Sequence, residues 1–517
     1  MGAAERIEEV DAFEASRVQF SGMEKRLTSP EMLNAPHGKL EEFVIEQGRE
    51  LQRLLLQAHM ELRAAREERV EVRGADGVRR TMTRASMRPL MTLVGEVDVE
   101  RLAYQARDVP GLHPMDASLN LPREQYSHGV RHFVAENAAL LSFDDVRRLL
   151  VKRTGARVPK RQIEELSVRA AVDFDAFYEE RRAAEGMAEP TRFRDLLVMT
   201  FDGKGIVMMP EALRPATKKA AKKAVRKLAT RLTAGEKRNR KRMAQVAAIY
   251  TVPRHVREPE DVLADLSGAS ARSRPERPKV TNKRVWASVE HEPEIVIEEA
   301  FREARARDPK HQRQWVVLVD GNKDQLAIIK ANREKLGAVW IVVDLIHVLE
   351  YLWRAAHALL GDATTEAEAW VQEQLLSLLQ DRPAGELAMT MRVAARKEKL
   401  QRRELEAVCD AANYLETYAD YMRYGEALAM GLPIATGVIE GACRYLVKDR
   451  MDRGGARWTL KGAEAVLRLR ALRTSGDLDS YWDFHLREEL RRHHAERYAN
   501  AALPNPVQPK RTLRRVK

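Results

Sequence analysis

Two apolar runs in this sequence end on an aspartate followed by a glycine. "RDLLVMTFDGKG" (194–205) leads from Leu196 through Phe201 into Asp202, and "WVVLVDGNKDQ" (315–325) leads from Trp315 into Asp320. Such runs fit strands buried on both faces. An acid at the end of each places two carboxylates at the rim of one sheet. Brought within a few ångströms, two carboxylates repel, and burying them unpaired is costly. A divalent cation removes the conflict, because magnesium takes hard oxygen ligands, commonly one or two carboxylates plus phosphate oxygens. The chemistry such a pair suits is phosphoryl transfer, with two ions about 3.5–4 Å apart. Either Asp-Gly alone reads more readily as a turn. The pair, with a third acid downstream, favours the metal.

That third acid is Glu440 in "IATGVIEGACRYLVKDRM". Gly437 can precede a helix on which Arg444 and Lys448 follow Glu440 at four-residue steps, so the acid and both bases share one face. The rest of the segment is largely apolar, and the Glu440 face is expected to abut the sheet. A second candidate lies in "VVDLIHVLEYLW", where Asp344 and His347 end the last strand. A neutral His347 beside a phosphate could position DNA or assist proton transfer. A helix-capping Asp344 and a packed His347 are the alternatives.

The elements that must hold these residues follow from hydrophobic period. Strands are predicted at 194–202, 243–252, 283–290, 315–320 and 339–344, and helices at about 292–307, 323–335 and 345–360. Strands joined by short turns pair antiparallel and those separated by helices pair parallel, giving a mixed five-stranded sheet with flanking helices. Residues 361–430 read as helical throughout. Upstream, 38–71 reads as one amphipathic helix, Arg79–Gln105 as a small β module with a hairpin around Gly95, and 107–122 as a proline-rich loop. Residues 125–182 are helical. Within them Ser142 can cap a helix to Lys152, Thr154-Gly155 can turn, and Pro159 can open a second helix with Lys160, Arg161 and Gln162 in its first turn. That is the layout of a helix-turn-helix DNA reader, and equally of an ordinary helical hairpin.

Charge points to a polyanionic partner. Of 517 residues, 89 are Lys or Arg and 77 Asp or Glu, a net +12. Between Arg214 and Arg242 thirteen bases face the single acid Glu236, so this segment alone carries +12. Lys218, Lys219, Lys222 and Lys223 in it are expected to clamp a DNA backbone, and the tail "PKRTLRRVK" adds five bases. Trp458 is either core or a platform for an unpaired base. Two cysteines, Cys409 and Cys443, form no metal-ligand pattern, which fits a reducing cytosol. No apolar run is long enough for a membrane span.

The motifs "TFDGKG", "VVLVDGNKDQ", "VVDLIHVLEYLW" and "GVIEGACRYLVKDRMDRGGARWTLKGAEAVLRLRALRTSG" resemble those of acid-triad (Asp, Asp, Glu) transposases, specifically of bacterial insertion sequences of the Kra type, with relatives among Mutator-like elements. The resemblance spans about 120–485. It implies a ribonuclease-H-like α/β core in which Asp202, Asp320 and Glu440 are the catalytic, metal-binding triad. Asp344 and His347 echo an Asp-x-x-His element of Mutator-like enzymes. The implied domains are an N-terminal helix with a β module (1–120), a helical DNA-binding domain (121–190) and the first part of the core (191–360). An all-α insertion (361–430), the C-terminal core helices (431–485) and a basic tail (486–517) follow. Mg2+ or Mn2+, as a pair of ions, is the expected cofactor, and with no phosphate-binding glycine loop no nucleotide is needed. The expected partner is double-stranded DNA, both terminal repeats and target, bound by a homo-oligomer at the bacterial nucleoid. Relatives often carry a cysteine zinc ribbon where this chain has "LAYQARDVPGLHP", so zinc is not expected. A structure-specific nuclease and a non-catalytic DNA-binding regulator are the alternatives.

Overall fold

The structure, a computed structural model, describes residues 12–185, 194–224, 227–228, 230–233, 236, 238–266, 278–336, 339–398 and 400–507. The chain forms two compact units, Met1–Phe177 together with Asp477–Lys517, and Tyr178–Gly476.

In the first unit, α1 (Glu14–Leu27) packs on α2 (His37–Ala65). Helix α2 stops six residues before the expected end at 71. From there the chain is drawn onto the small sheet, where the Glu67 carboxylate accepts a bond from Leu102 N–H at 2.7 Å. That sheet is β1 (Met82–Thr92), β2 (Gly95–Ala106) and β3 (Val109–Leu112), antiparallel in that order. The hairpin falls as the alternation predicts. Strand β3 corrects the expected loop: at four residues, with Pro110 tolerable on a sheet edge, it is too short to show a period.

Helices α3 (His128–Ala138), α4 (Phe143–Thr154) and α5 (Lys160–Ala170) follow. The Ser142 hydroxyl caps α4 by accepting from Asp145 N–H, Gly155 closes it in the left-handed conformation at φ 73°, and Pro159 precedes α5. Val130, Val134, Val146, Leu150, Ile163 and Leu166 pack as one cluster among the three helices.

A later helix, Leu478–His493, belongs to this unit rather than to the sheet. Buried charges explain the attachment. Arg131, 1% exposed, donates to Glu489 at 2.6 Å and faces His485 Nε2 at 2.9 Å, and it also pairs with Glu124. His485 Nδ1 lies 2.7 Å from Asp173, which Arg492 also holds at 2.8 and 2.9 Å. Burial would raise the Asp173 carboxyl, but His485 and Arg492 bring it down to about 2. Asp173, His485 and Glu489 offer three ligand atoms within 4.8 Å of one another, the arrangement a metal ion could use. Arginine nitrogens already bond Asp173 and Glu489, and the third arginine contact is on His485. We read the cluster as an ion network that ties the C-terminal helix in place.

In the second unit, β4 (Leu196–Val207), β5 (Lys241–Val252), β6 (Thr281–Ser288), β7 (Trp315–Val319) and β8 (Val339–Val343) form a mixed sheet of order β6-β5-β4-β7-β8. The first three pair antiparallel, while β4 with β7 and β7 with β8 are parallel. The five expected strands are present, with the first and fourth adjacent. Strand β4 overruns its expected end at Asp202: Gly203–Val207 stays paired with Lys241–Gln245 of β5, so Asp202-Gly203 lies inside a hairpin arm and makes no turn.

Helices α6 (Pro293–Arg307), α7 (Lys323–Leu336) and α8 (Leu345–Leu360) connect and extend these strands. Helices α9 (Thr365–Leu379), α10 (Ala384–Lys397) and α11 (Arg402–Thr417) fill the expected all-α insertion. Helices α12 (Gly437–Ala442) and α13 (Leu460–Ser475) then return to the sheet. Among the described residues no helix is long and apolar enough to cross a membrane.

Removing one partner of a buried ion pair leaves the others uncompensated, at a cost of roughly 3–5 kcal/mol. Arg131→Ala should lower stability to urea on that scale. A change below about 1 kcal/mol would show that water, rather than protein, satisfies the network.

Candidate active site

Strand register brings the two aspartates together. Thr200 of β4 is level with Leu318 of β7, and Asp202 and Asp320 each lie two residues further along these parallel neighbours. Side chains two apart in a strand share a face, and adjacent strands run about 4.8 Å apart. Their proximity is felt electrostatically. The Asp320 carboxyl is raised above its ordinary range, first by burial and then by the negative charge of Asp202, against the Asn322 N–H, which stabilises its charged form.

Each aspartate is held by groups distant in sequence. The Asp202 carbonyl accepts from the Gln245 amide at 3.1 Å, and Gln245 in turn accepts from Gln325 of α7 at 3.0 Å. Both glutamines are buried, so this amide relay fixes the β4 backbone at the acid. Asp202 Oδ2 accepts from the Cys443 thiol at 2.9 Å. Burial pushes that thiol well up, with Asp202 adding to the shift, so it is protonated and acts as a donor rather than a soft metal ligand.

Around Asp320 the chain turns sharply. Asn322 N–H donates to its Oδ1 at 2.9 Å, and Asn322 then caps the start of α7. Gly321 has φ 89°, and a Cβ there would lie 2.8 Å from the Tyr414 hydroxyl, so only glycine fits. Tyr414 donates to the Asp320 carbonyl at 2.9 Å and Tyr418 donates to that of Gly321. Both tyrosines come from the helical insertion, which thus braces the Asp320 turn. Tyr414 stacks on Tyr351 with ring centroids 4.0 Å apart. Together with Asp320, His347, Arg354 and Asn413 they line a cleft of about 570 Å³.

Asp344 and His347 adjoin this cleft. Asp344 is 2% exposed, caps α8 through Ile346 N–H at 2.9 Å, and accepts from the Thr436 hydroxyl. His347 Nδ1 lies 3.4 Å from Asp344 Oδ2, an ion-pair contact. Asp344, then Asp320 and Glu350, push His347 up to about 9. The carboxylates around it thus favour the charged form of the ring over the neutral one.

Glu440 lies on α12, and the buried Ile439 and Ala442 of that helix, with Cys443 and Leu446 of the turn that continues it, form an apolar stripe facing inward. The stripe, and not the Glu440 face, meets the sheet; Glu440, Arg444 and Lys448 are exposed. At Cys443–Lys448 the helix widens into a π turn, a distortion frequent at functional sites. Arg470 of α13 donates to the carbonyls of Leu446, at 2.6 Å, and Tyr445. Among the described residues Asp202, Asp320 and Glu440 do not bring three ligand atoms within 4.8 Å of one another. The first two acids are close, and Glu440 sits one helical turn from the residue that touches Asp202.

The remaining candidates fall elsewhere. Trp458 is 4% exposed, donates from Nε1 to Met451 O at 3.0 Å and lies beneath Arg450, so its face is in the core and cannot serve as a base platform. Lys218, Lys219, Lys222 and Lys223 are exposed on a helix, Pro215–Lys223; parts of the basic segment beyond it, and the tail from 508, lie outside the described residues. In the first unit, Lys160 and Arg161 are exposed at the start of α5, and Gln162 partly so. Lys160 is paired with Asp144, while Arg161 and Gln162 reach Glu165 at 3.1 and 2.9 Å. Reading DNA would require them to exchange those acids for bases or phosphates.

Compared with known proteins, the chain matches no family model, and no curated protein matches it.

The charge on His347 gives a test. With a folded pKa of about 9 against an ordinary 6.5, its pairing with the carboxylates is fully present below about 6.5 and is lost as pH rises through about 9. NMR titration of the ring protons should show a midpoint near 9 that falls in Asp344→Asn. A midpoint near 6.5 in the unaltered chain would show that the carboxylates do not face it.

Proposed function

We propose that the chain is a metal-dependent DNA transposase whose sheet unit is a ribonuclease-H-like core. The observation that carries the reading is the placement of Asp202 and Asp320 on neighbouring parallel strands, with Asp320 raised by burial and by its neighbour. A divalent cation is the partner that relieves this repulsion, and the oxygen donors fit Mg2+ or Mn2+. Asp202 and Asp320 would hold it, with Glu440 joining from the α12 helix.

Bound ions would supply charge neutralisation and an activated oxygen for in-line attack at phosphorus. The chain's own groups would do the rest. His347, cationic beside Asp320, would hold a non-bridging phosphate oxygen as a charged donor. The cleft floored by Tyr351 and Tyr414 would receive the nucleotide flanking the cut. Arg444 and Lys448, following Glu440, and the lysines 218–223 would neutralise the backbone. The α4–α5 pair would choose the DNA end through Arg161 and Gln162. A structure-specific nuclease would use the same acids; transfer of a cut 3′ end into a second duplex separates the two activities.

Asp202→Ala, Asp320→Ala and Glu440→Ala should each abolish strand cleavage of a duplex carrying the element end, with binding of that duplex retained in a mobility-shift assay. Near-normal cleavage by any one of them would remove that acid from the site.

A further inference from the structure

The first unit contains a cavity of about 480 Å³ lined by five arginines, Arg88, Arg101, Arg123, Arg492 and Arg497, and by the single carboxylate Asp116. Arg492 is committed elsewhere, to Asp173 and Glu489. The other four share one acid. Arg101 Nε lies 2.8 Å from Asp116 Oδ1, and Arg88 Nη1 lies 3.8 Å from Oδ2. Arg497 donates to the Gly111 carbonyl at 2.8 Å and, among the described residues, has no acid partner. Arg123 is exposed and, among the described residues, makes no hydrogen bond or ion pair. Four guanidiniums against one carboxylate leave the cavity at +3.

Part of that charge is desolvated. Arg101 is 7% exposed, and burial lowers Arg88 below the ordinary arginine range despite Asp116. The buried pair, Arg88 and Arg101, faces Asp116 and donates to the carbonyls of Pro122, Glu124, Ser86 and Val99, so the excess charge is carried by the exposed Arg123 and Arg497, and an anion in the cavity would offset it. The three histidines on its wall, His113, His493 and His494, are pushed down by burial and offer nitrogens without adding charge at neutral pH. The volume lies within the range of small-ligand sites and exceeds what a lone ion fills. Guanidinium forks match phosphate oxygens two at a time, and Tyr498, Leu121 and Pro122 supply apolar wall beside them.

We propose that this cavity binds a ligand ending in a mono- or diphosphate, its oxygens bonded by Arg88, Arg101, Arg123 and Arg497, with Asp116 holding the two buried guanidiniums in place. Two sources carry that chemistry, the 5′-phosphorylated end of a nucleic acid strand and a free nucleotide. The site is independent of the carboxylate centre and of the reaction proposed for it.

Isothermal titration of the full-length protein with inorganic pyrophosphate should show one saturable site per chain. Arg123→Ala/Arg497→Ala, which alters two exposed side chains without acid partners, should weaken it at least tenfold. Arg402→Ala/Arg403→Ala, an equal loss of charge from the exposed start of a helix in the other unit, should leave it unchanged. Displacement by a 5′-phosphorylated decanucleotide, but not by its 5′-hydroxyl counterpart, identifies a strand end; displacement by ADP alone identifies a nucleotide. Lack of saturable binding, equal weakening by both double variants, an unweakened cavity variant, or displacement by none of these competitors would overturn the assignment.

Discussion

Repulsion between two carboxylates is the constraint around which the sheet unit is organised. Asp202 on β4 and Asp320, one residue past β7, sit at matching positions beyond the parallel pairing, and among the described residues neither has an arginine or lysine bonded to it. Structure elsewhere in the chain resolves such conflicts with guanidinium: Arg284 lies between Glu299 and Glu303 at 2.6 and 2.8 Å, fully buried, and Glu303 is brought down to about 2. At the aspartate pair the neighbours are a thiol, backbone N–H groups and a histidine that is itself charged. These groups hold the acids in place without cancelling both charges. The proposed cation would meet that remaining charge, whereas the Arg284 cluster meets its own.

Rigidity follows from the same constraint. Two acids that repel will move apart unless their backbones are over-determined. The Gln325–Gln245 relay clamps β4, the tyrosines of the insertion clamp the Asp320 turn, and Gly321 permits their approach. Arg470 binds the π turn that begins at Cys443 and thereby sets where the thiol meets Asp202. The insertion is thus part of the site's support, since without Tyr414 and Tyr418 the Asp320 and Gly321 carbonyls lose their donors.

Much of this frame is legible in the sequence, because strands buried on both faces are nearly continuous apolar runs. All five lie within a few residues of those runs, whereas the adjacency of the first and fourth is what the ribonuclease-H-like resemblance implies, because connection lengths set strand direction and not strand order. The exceptions are instructive. Asp202-Gly203 has the composition of a turn, yet pairing with β5 carries the strand on to Val207; tertiary hydrogen bonds overrode a local signal. Asp344 and His347 are legible as a pair, and Asp344 is the main cause of the upward shift of His347; the smaller push from Asp320 needs the fold. Tyr414, Tyr418, Gln245 and Gln325 carry no motif at all, and only the fold brings them to the acids. Cys443 was within reach: it lies one turn beyond Glu440, on the apolar stripe that had to face the sheet. Trp458 had two readings, and its burial against Met451 and Arg450 chose the core.

The central claim is that Asp202 and Asp320 together make a divalent-cation site, and Mn2+ binding followed by electron paramagnetic resonance tests it most directly. The unaltered protein should take up Mn2+, with Mg2+ competing. Asp202→Asn and Asp320→Asn should each lose that binding while keeping the fold by circular dichroism, because each removes one of the two charges that would attract the ion. Undiminished Mn2+ binding in both variants, or none in the unaltered protein when DNA is also supplied, would contradict the account.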